Sequence, residues 1–206
     1  MGIAVNREWT LGIAPNPRLA PKQSLRHSQF GQLPLRRSPT VSPLHRLKPA
    51  CYQPAMSSRS DHERIVRDFF DAYASRTNAA IGRPPRVDSA GVRDSFADYF
   101  VGASPKGVRG GRNGLVFRLM LRLGFRAYRR MGTRSIDLVG LTVTSLDDFH
   151  VLARTDWVSR FDGSKGDGRD IAFTNHYLLQ VRDGKAKVFA FVTPDESAAL
   201  REHGLI

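Results

Sequence analysis

The sequence predicts an α+β domain whose helices come first and pack on one face of a strongly curved antiparallel sheet. Three observations predict it. Apolar residues recur at helical spacing from Ser60 through the run ending at Met131. After Ser135 the period changes to strict alternation. The alternating segments are joined by short Asp- and Gly-rich turns, which link neighbouring strands into an antiparallel meander.

In chain order, "SDHERIVRDFFDAYASR" begins with polar cap residues and early acids, then presents Ile65, Phe69, Ala72 and Tyr73 at helical spacing. "GRPPR" breaks it. "VDSAGVRDSFADYF" reads as a second helix, with Val92, Phe96 and Tyr99 or Phe100 on one side. The glycine-rich "VGASPKGVRGGRNG" reads as a short strand and turn. It lacks the Gly-Lys-Ser/Thr ending of a phosphate loop.

"GRNGLVFRLMLRLGFRAYRRM" then places Arg118, Arg122, Arg126, Arg129 and Arg130 within roughly one third of a helix circumference. Val116, Phe117, Met120 and Leu121 cover the remainder together with Leu123, Phe125, Ala127 and Tyr128. An apolar arc this wide predicts a helix packed on several sides, with one basic edge in solvent. A helix lying on a membrane divides more evenly between its faces.

Four strands follow: "IDLVGLTVTSLDD", "FHVLARTDWVSRF", "RDIAFTNHYLLQV" and "KAKVFAFVT". Alternation puts Val151, Ala153, Thr155, Trp157 and Phe161 on one face of the second strand. It does the same for Ile171, Phe173, Asn175, Tyr177, Leu179 and Val181 in the third. "PDESAALREHGL" closes with a short helix.

Composition divides the chain. The net charge is +13, yet residues 1–55 hold eight basic residues against one acid, leaving a surplus of six beyond them. The same segment holds eight of the twelve prolines, which forbid a sustained helix or central strand. It therefore reads as a disordered Pro/Arg-rich extension, or as an upstream mis-start before Met56, with the domain over 56–206. No apolar run approaches the ~20 residues a membrane crossing needs. Cys51 is the only cysteine, so disulfides within the chain and cysteine metal sites are excluded, and a cytoplasmic setting fits. His150 and His203 show no metal-ligand spacing. Neither a metal nor a cofactor is expected.

The order of elements, with "FADYFVGASPKGVRGGRNG" and "AFTNHYLLQVRDGKAKVFAFV", resembles the nuclear transport factor 2-like superfamily over about residues 60–204. That group includes ketosteroid isomerases and SnoaL-like polyketide cyclases. The resemblance implies a cone of helices against a bent sheet, enclosing an apolar pocket. It leaves function open, because the scaffold hosts enzymes, transport factors and dimerisation modules.

The isomerase chemistry needs a carboxylate to move a proton and donors to hold an enolate oxygen. The resemblance puts the base at Ser104 in "FADYFVGASP", the oxyanion tyrosine at Phe69, and the protonated aspartate at Asn175 in "NHY". None of the three is the residue required. That machinery is absent on this alignment, and Asp98 is the weak substitute candidate for acid–base work.

The expected pocket gathers Thr155, Asn175 and Tyr177 amid Phe69, Tyr73, Trp157 and Phe191. Tyr99 and Ser104 belong to the same expected pocket, and Arg118, Arg122, Arg126 and Arg130 form a basic rim. A mostly apolar cavity with a few placed polar groups suits a small lipophilic ligand, with a preference for anions if the rim lies at its mouth. The alternative is a filled core in which Tyr177 and Asn175 satisfy each other or backbone groups.

Three functions then fit. One is a small-molecule-binding domain without the isomerase residues; another is an isomerase, cyclase or dehydratase using groups such as Asp98. The third is a homodimer pairing through His150, Leu152, Arg154, Asp156 and Val158 on the convex sheet face, without a ligand. No aromatic residue shares the arginine edge of the basic helix, so sequence-directed nucleic-acid recognition is not expected, while weak contact with a membrane surface is allowed.

Overall fold

In the computed structural model the described residues are 59–162 and 168–206. The extension expected over residues 1–55 lies outside them, as do residues 163–167 in the turn between the second and third of the four long strands.

Helix α1, Arg59–Ile81, buries Val66, Phe70, Tyr73, Thr77 and Ile81 along one stripe. The inward aromatic pair is therefore Phe70 and Tyr73, one position out of step with the expected Phe69. Asn78 fastens the helix to the sheet: its Oδ1 accepts from the Ile136 amide at 2.8 Å, and its Nδ2 donates to the Ile136 carbonyl at 3.2 Å. His62, also buried, bonds Ser145 Oγ and the Asp148 carbonyl through its two ring nitrogens.

The second helix is shorter than the sequence predicts. Helix α2 spans only Ser89–Asp94, with Asp88 accepting from the Gly91 amide at its start. The chain then enters strand β1, Phe96–Ser104, and turns into β2, Gly107–Arg112. The reason is ambiguity of spacing. Phe96 and Phe100, four apart, share a face in a helix and equally in a strand. Two partners decide for the strand: β2 pairs antiparallel on one side, and the last strand, β6 (Lys185–Val192), pairs parallel on the other. The helix–strand junction is held by Asn113, whose Nδ2 donates to the carbonyls of Arg93 and Phe96.

Helix α3, Leu115–Arg130, follows, then β3 Thr133–Ser145, β4 His150–Phe161, β5 Arg169–Arg182, β6 Lys185–Val192 and helix α4 Glu196–Glu202. The four long strands thus form where alternation predicts them. The sheet has six strands, the four long ones together with β1 and β2 where the sequence predicts a helix end and one short strand, in the order β2-β1-β6-β5-β4-β3. Bulges in the β3–β4 pairing, one between Leu138 and Gly140, add local bend and twist. The β5–β6 turn places Asp183 and Gly184 both at positive φ, the backbone that a two-residue hairpin favours. Gly102 lets β1 approach Phe191 across the parallel pairing; a Cβ there would lie 2.7 Å from the Phe191 ring.

Helix α3 departs from expectation in its burial. Only Phe117, Leu121, Gly124, Phe125 and Tyr128 are buried, a single stripe. Leu115, Val116, Leu119 and Leu123 are 74%, 71%, 57% and 38% exposed. The helix has one packed side, not several: of the expected apolar arc, Phe117, Leu121, Phe125 and Tyr128 are buried, Met120 and Ala127 half-buried, and Val116 and Leu123 exposed.

Candidate functional site

The interior that the sequence assigns to a pocket is filled with aromatic rings. Phe70 meets Trp157 edge-on at 6.4 Å between centroids and Tyr177 at 5.1 Å, while Tyr73 contacts Phe96 and Trp157, each at 6.4 Å. Phe100, Phe117 and Phe191 continue the cluster. Among the expected pocket residues, Tyr73, Thr155, Trp157, Asn175 and Tyr177 are buried together. Their polar atoms are engaged with one another. The Trp157 indole donates to Thr155 Oγ1 at 2.7 Å, Thr155 donates to the Asn175 carbonyl, and Asn175 Nδ2 donates to the Tyr177 hydroxyl at 3.2 Å. Burial drives the Tyr73 and Tyr177 phenols well above their ordinary range, so both stay neutral.

The others are peripheral. Phe69 is half-buried and stacks on Tyr73; Phe191 is half-buried at the edge of the cluster. Tyr99 is 59% exposed and lies over Gly110. Ser104 ends β1, its hydroxyl accepting from the Lys106 amide. Asp98 is exposed on β1 rather than on a helix. Of the basic rim, Arg122, Arg126 and Arg130 are exposed and Arg118 half-buried. His150, Leu152, Asp156 and Val158 are half-buried on the face of β4 opposite Trp157; Arg154 there is exposed and pairs with Asp156 at 3.0 Å.

A cleft opens elsewhere, between the C-terminal end of α3, strands β4 and β5, and the segment leading into α4. Its free volume is about 40 Å³, or about 420 Å³ when the open mouth is counted. Phe161, Ile171, Phe173 and Leu200 form apolar walls. Tyr128, Ser159, Asn175, Thr193 and Glu196 supply polar groups. Asn175 is the one member of the expected pocket that lines it.

The sequence positions these groups for local reasons. Ser159 and Phe161 lie on the inward face of β4, and Ile171, Phe173 and Asn175 on that of β5. Asp195 caps α4 by accepting from the Ala198 amide, which fixes Glu196 as the first helical residue, where Tyr128 donates its hydroxyl proton to Glu196 Oε1.

The two neighbouring carboxyls are driven apart. Lys106, whose ammonium lies 3.0 Å from Asp195, holds that carboxyl below its ordinary value. Glu196 keeps part of its surface at the cleft mouth, but burial of its carboxyl raises its pKa from 4.5 to about 7, against the lowering effect of Tyr128. A carboxyl poised near neutrality beside a phenol can donate or accept a proton, or hydrogen-bond a carbonyl or hydroxyl.

Sequence reasoning misses Tyr128, Thr193 and Glu196. Tyr128 lies among arginines, and Glu196 reads as an ordinary first-turn acid after a capping aspartate. The legible signal is the inward run of Ser159, Phe161 and Ile171 extending past Trp157 and Asn175. Among the described residues no group of three or more His, Cys, Asp or Glu could hold a metal ion.

No family model matches the chain, and no curated protein matches it. Solved structures do. A protein with a cystatin-like fold from Novosphingobium aromaticivorans, described as nuclear transport factor 2-like, is similar at 16% identity over 69% of this chain and 88% of that one, with a TM-score of 0.52. A nuclear transport factor 2-like superfamily protein from Salmonella enterica is similar at 9% identity over 66% of this chain and 92% of that one, with a TM-score of 0.48. At such identities the likeness is one of fold.

Proposed function

The chain has the nuclear transport factor 2-like fold, and from that premise we propose that it is a small-molecule-binding domain whose site is the Tyr128–Asn175–Glu196 cleft. The observation that carries this reading is an apolar cleft, walled by Phe161, Ile171 and Leu200, with a few convergent polar groups from Tyr128, Asn175 and Glu196. The cleft's free volume of about 40 Å³ exceeds the roughly 10–15 Å³ that a single water needs on the same measure, which is room for a small head group. The ligand is therefore a small apolar molecule whose carbonyl or hydroxyl meets Glu196, with its remainder against Phe161, Ile171 and Leu200. Glu196 at its protonated fraction favours a neutral head group over a carboxylate.

Thermal unfolding of the full chain against small cyclic ketones, alcohols and carboxylates tests it. A ligand of the native state at 100 times its Kd adds about 2.7 kcal/mol, several degrees in Tm. We expect neutral compounds to give the shift and Ala199→Leu, which fills the cleft, to remove it. A screen without a shift, or a shift that Ala199→Leu leaves intact, rejects the cleft as the site.

A second reading, proton-transfer catalysis, is favoured by the Glu196 pKa near 7. It expects Glu196→Gln to abolish turnover of a ligand found in that screen while leaving its binding within a few-fold. Unchanged turnover rejects it.

A further inference from the structure

Helix α3 carries a second face that the cleft does not use. At about 100° per residue, Leu115, Leu119 and Leu123 interleave with Arg122, Arg126 and Arg130 in an arc of roughly 120° opposite the buried stripe. All six are exposed. The helix contains no acid at all. Among the described residues, no carboxylate forms an ion pair with Arg118, Arg122, Arg126 or Arg130; the ion pairs there engage other cations. Arg129 alone is turned inward, donating to the Ala80 carbonyl at 2.5 Å.

Exposed leucines this close together are costly to leave in water, at about 25 cal/mol per Å² of apolar surface. Arginines set between them demand an anionic partner. A second copy of this face would bring the arginines of two helices together. Residues 1–55, with eight basic residues to one acid, share the sign of the face. Nucleic-acid phosphates would satisfy the guanidinium groups and leave the leucines without an apolar partner.

A bilayer of anionic lipids satisfies both classes at once. Phosphates meet the guanidinium groups at the headgroup level, and the leucines enter the acyl boundary, with the arginine stems covering the step between them. The buried stripe of Phe117, Leu121, Phe125 and Tyr128 keeps the helix seated on the domain meanwhile. We propose that the exposed Leu/Arg face of α3 docks the domain on the surface of an anionic membrane, with the helix parallel to the bilayer plane.

The test is co-sedimentation of the full chain with vesicles of phosphatidylcholine alone and of equal parts phosphatidylcholine and phosphatidylserine. The expected result is binding to the second only, falling as salt is raised. The double variant Arg122→Gln/Arg126→Gln should bind about thirty-fold more weakly. Leu119→Gln/Leu123→Gln should also lose at least ten-fold, with neither variant lowering Tm by more than a degree or two. Because both variants retain residues 1–55, wild-type binding by either one overturns the proposal, as does failure of the unaltered protein to bind. Duplex DNA binding that the arginine variant weakens and the leucine variant leaves intact, without vesicle binding, would identify a nucleic-acid face instead.

Discussion

Helices α1 and α3 lie in the same domain and bury similar stripes, yet their outer faces follow different rules. Each contributes fully buried aromatic anchors, Phe70 from α1 and Phe125 from α3. On α1 the outward arginines are neutralised along the helix, Arg64 by Asp61 and Asp68, and Arg67 by Glu63. On α3 the outward arginines face leucines and no acid. The difference teaches that helical burial says nothing about what the other side is for. Water suffices to explain the outer face of α1, but not that of α3.

Three measurements break or sharpen that comparison. The largest effect should be shared. Phe70→Ala and Phe125→Ala should each cost about 3–5 kcal/mol in denaturant unfolding, because both leave a cavity in one aromatic core. A cost below about 1 kcal/mol for Phe125→Ala would mean that α3 is loosely attached and that the likeness of the buried stripes fails.

The next effect separates the helices by pH. Tyr128 ties α3 to Glu196, whose pKa is about 7 when folded against 4.5 ordinarily. The raised value means that the unfolded chain loses this proton first. The stability contribution is therefore full below about pH 4.5, declines as pH rises, and is spent above about pH 7. Glu196→Gln keeps an oxygen for Tyr128 and removes the titration. It should flatten Tm against pH across that window and raise Tm at pH 8 by several degrees, corresponding to about 1–3 kcal/mol. The reverse sign, a lower Tm at pH 8 than at pH 5 relative to wild type, would mean that the carboxylate is stabilised where it stands.

The smallest effect is at the surface. Arg64→Gln should lose about 0.3–0.5 kcal/mol at low salt and less at high salt, because α1 loses i,i+3 and i,i+4 partners. Arg122→Gln should be neutral or slightly stabilising, since it relieves repulsion among like charges. Calorimetry at two salt concentrations distinguishes them; equal losses would mean that Arg122 has an acidic partner after all.

How much of this was legible depended on whether one physical signal or two competed at a position. Strands β3 to β6 could be read because alternation runs through each of them and no helical pattern fits Val151 to Phe161. Strand β1 could be read only from Val101 on, because the Phe96–Phe100 interval satisfies both periods and the parallel partner lies about ninety residues on. The α3 helix was legible as a helix, but its sequence holds more apolar residues than one interface can cover. Which of them are covered is decided by neighbours remote in sequence. The cleft was least legible, since Tyr128 and Glu196 meet only through tertiary packing, 68 residues apart. Asn175, which alternation puts on the inward face, is buried there with its amide turned to Tyr177.

The parallel pairing of β1 with β6 has a consequence for the order in which the protein is made. On the ribosome the β1–β2 hairpin emerges early, but one side of β1 stays unpaired until residues 188–192 have been synthesised. Through that interval Phe96 and Phe100 lack Phe191, and a bare strand edge is offered to any neighbouring nascent chain. Loop closure over such a span makes the step slow compared with local hairpin formation. Synthesis of this domain thus has a vulnerable interval, which closes when its last strand is threaded beside its first.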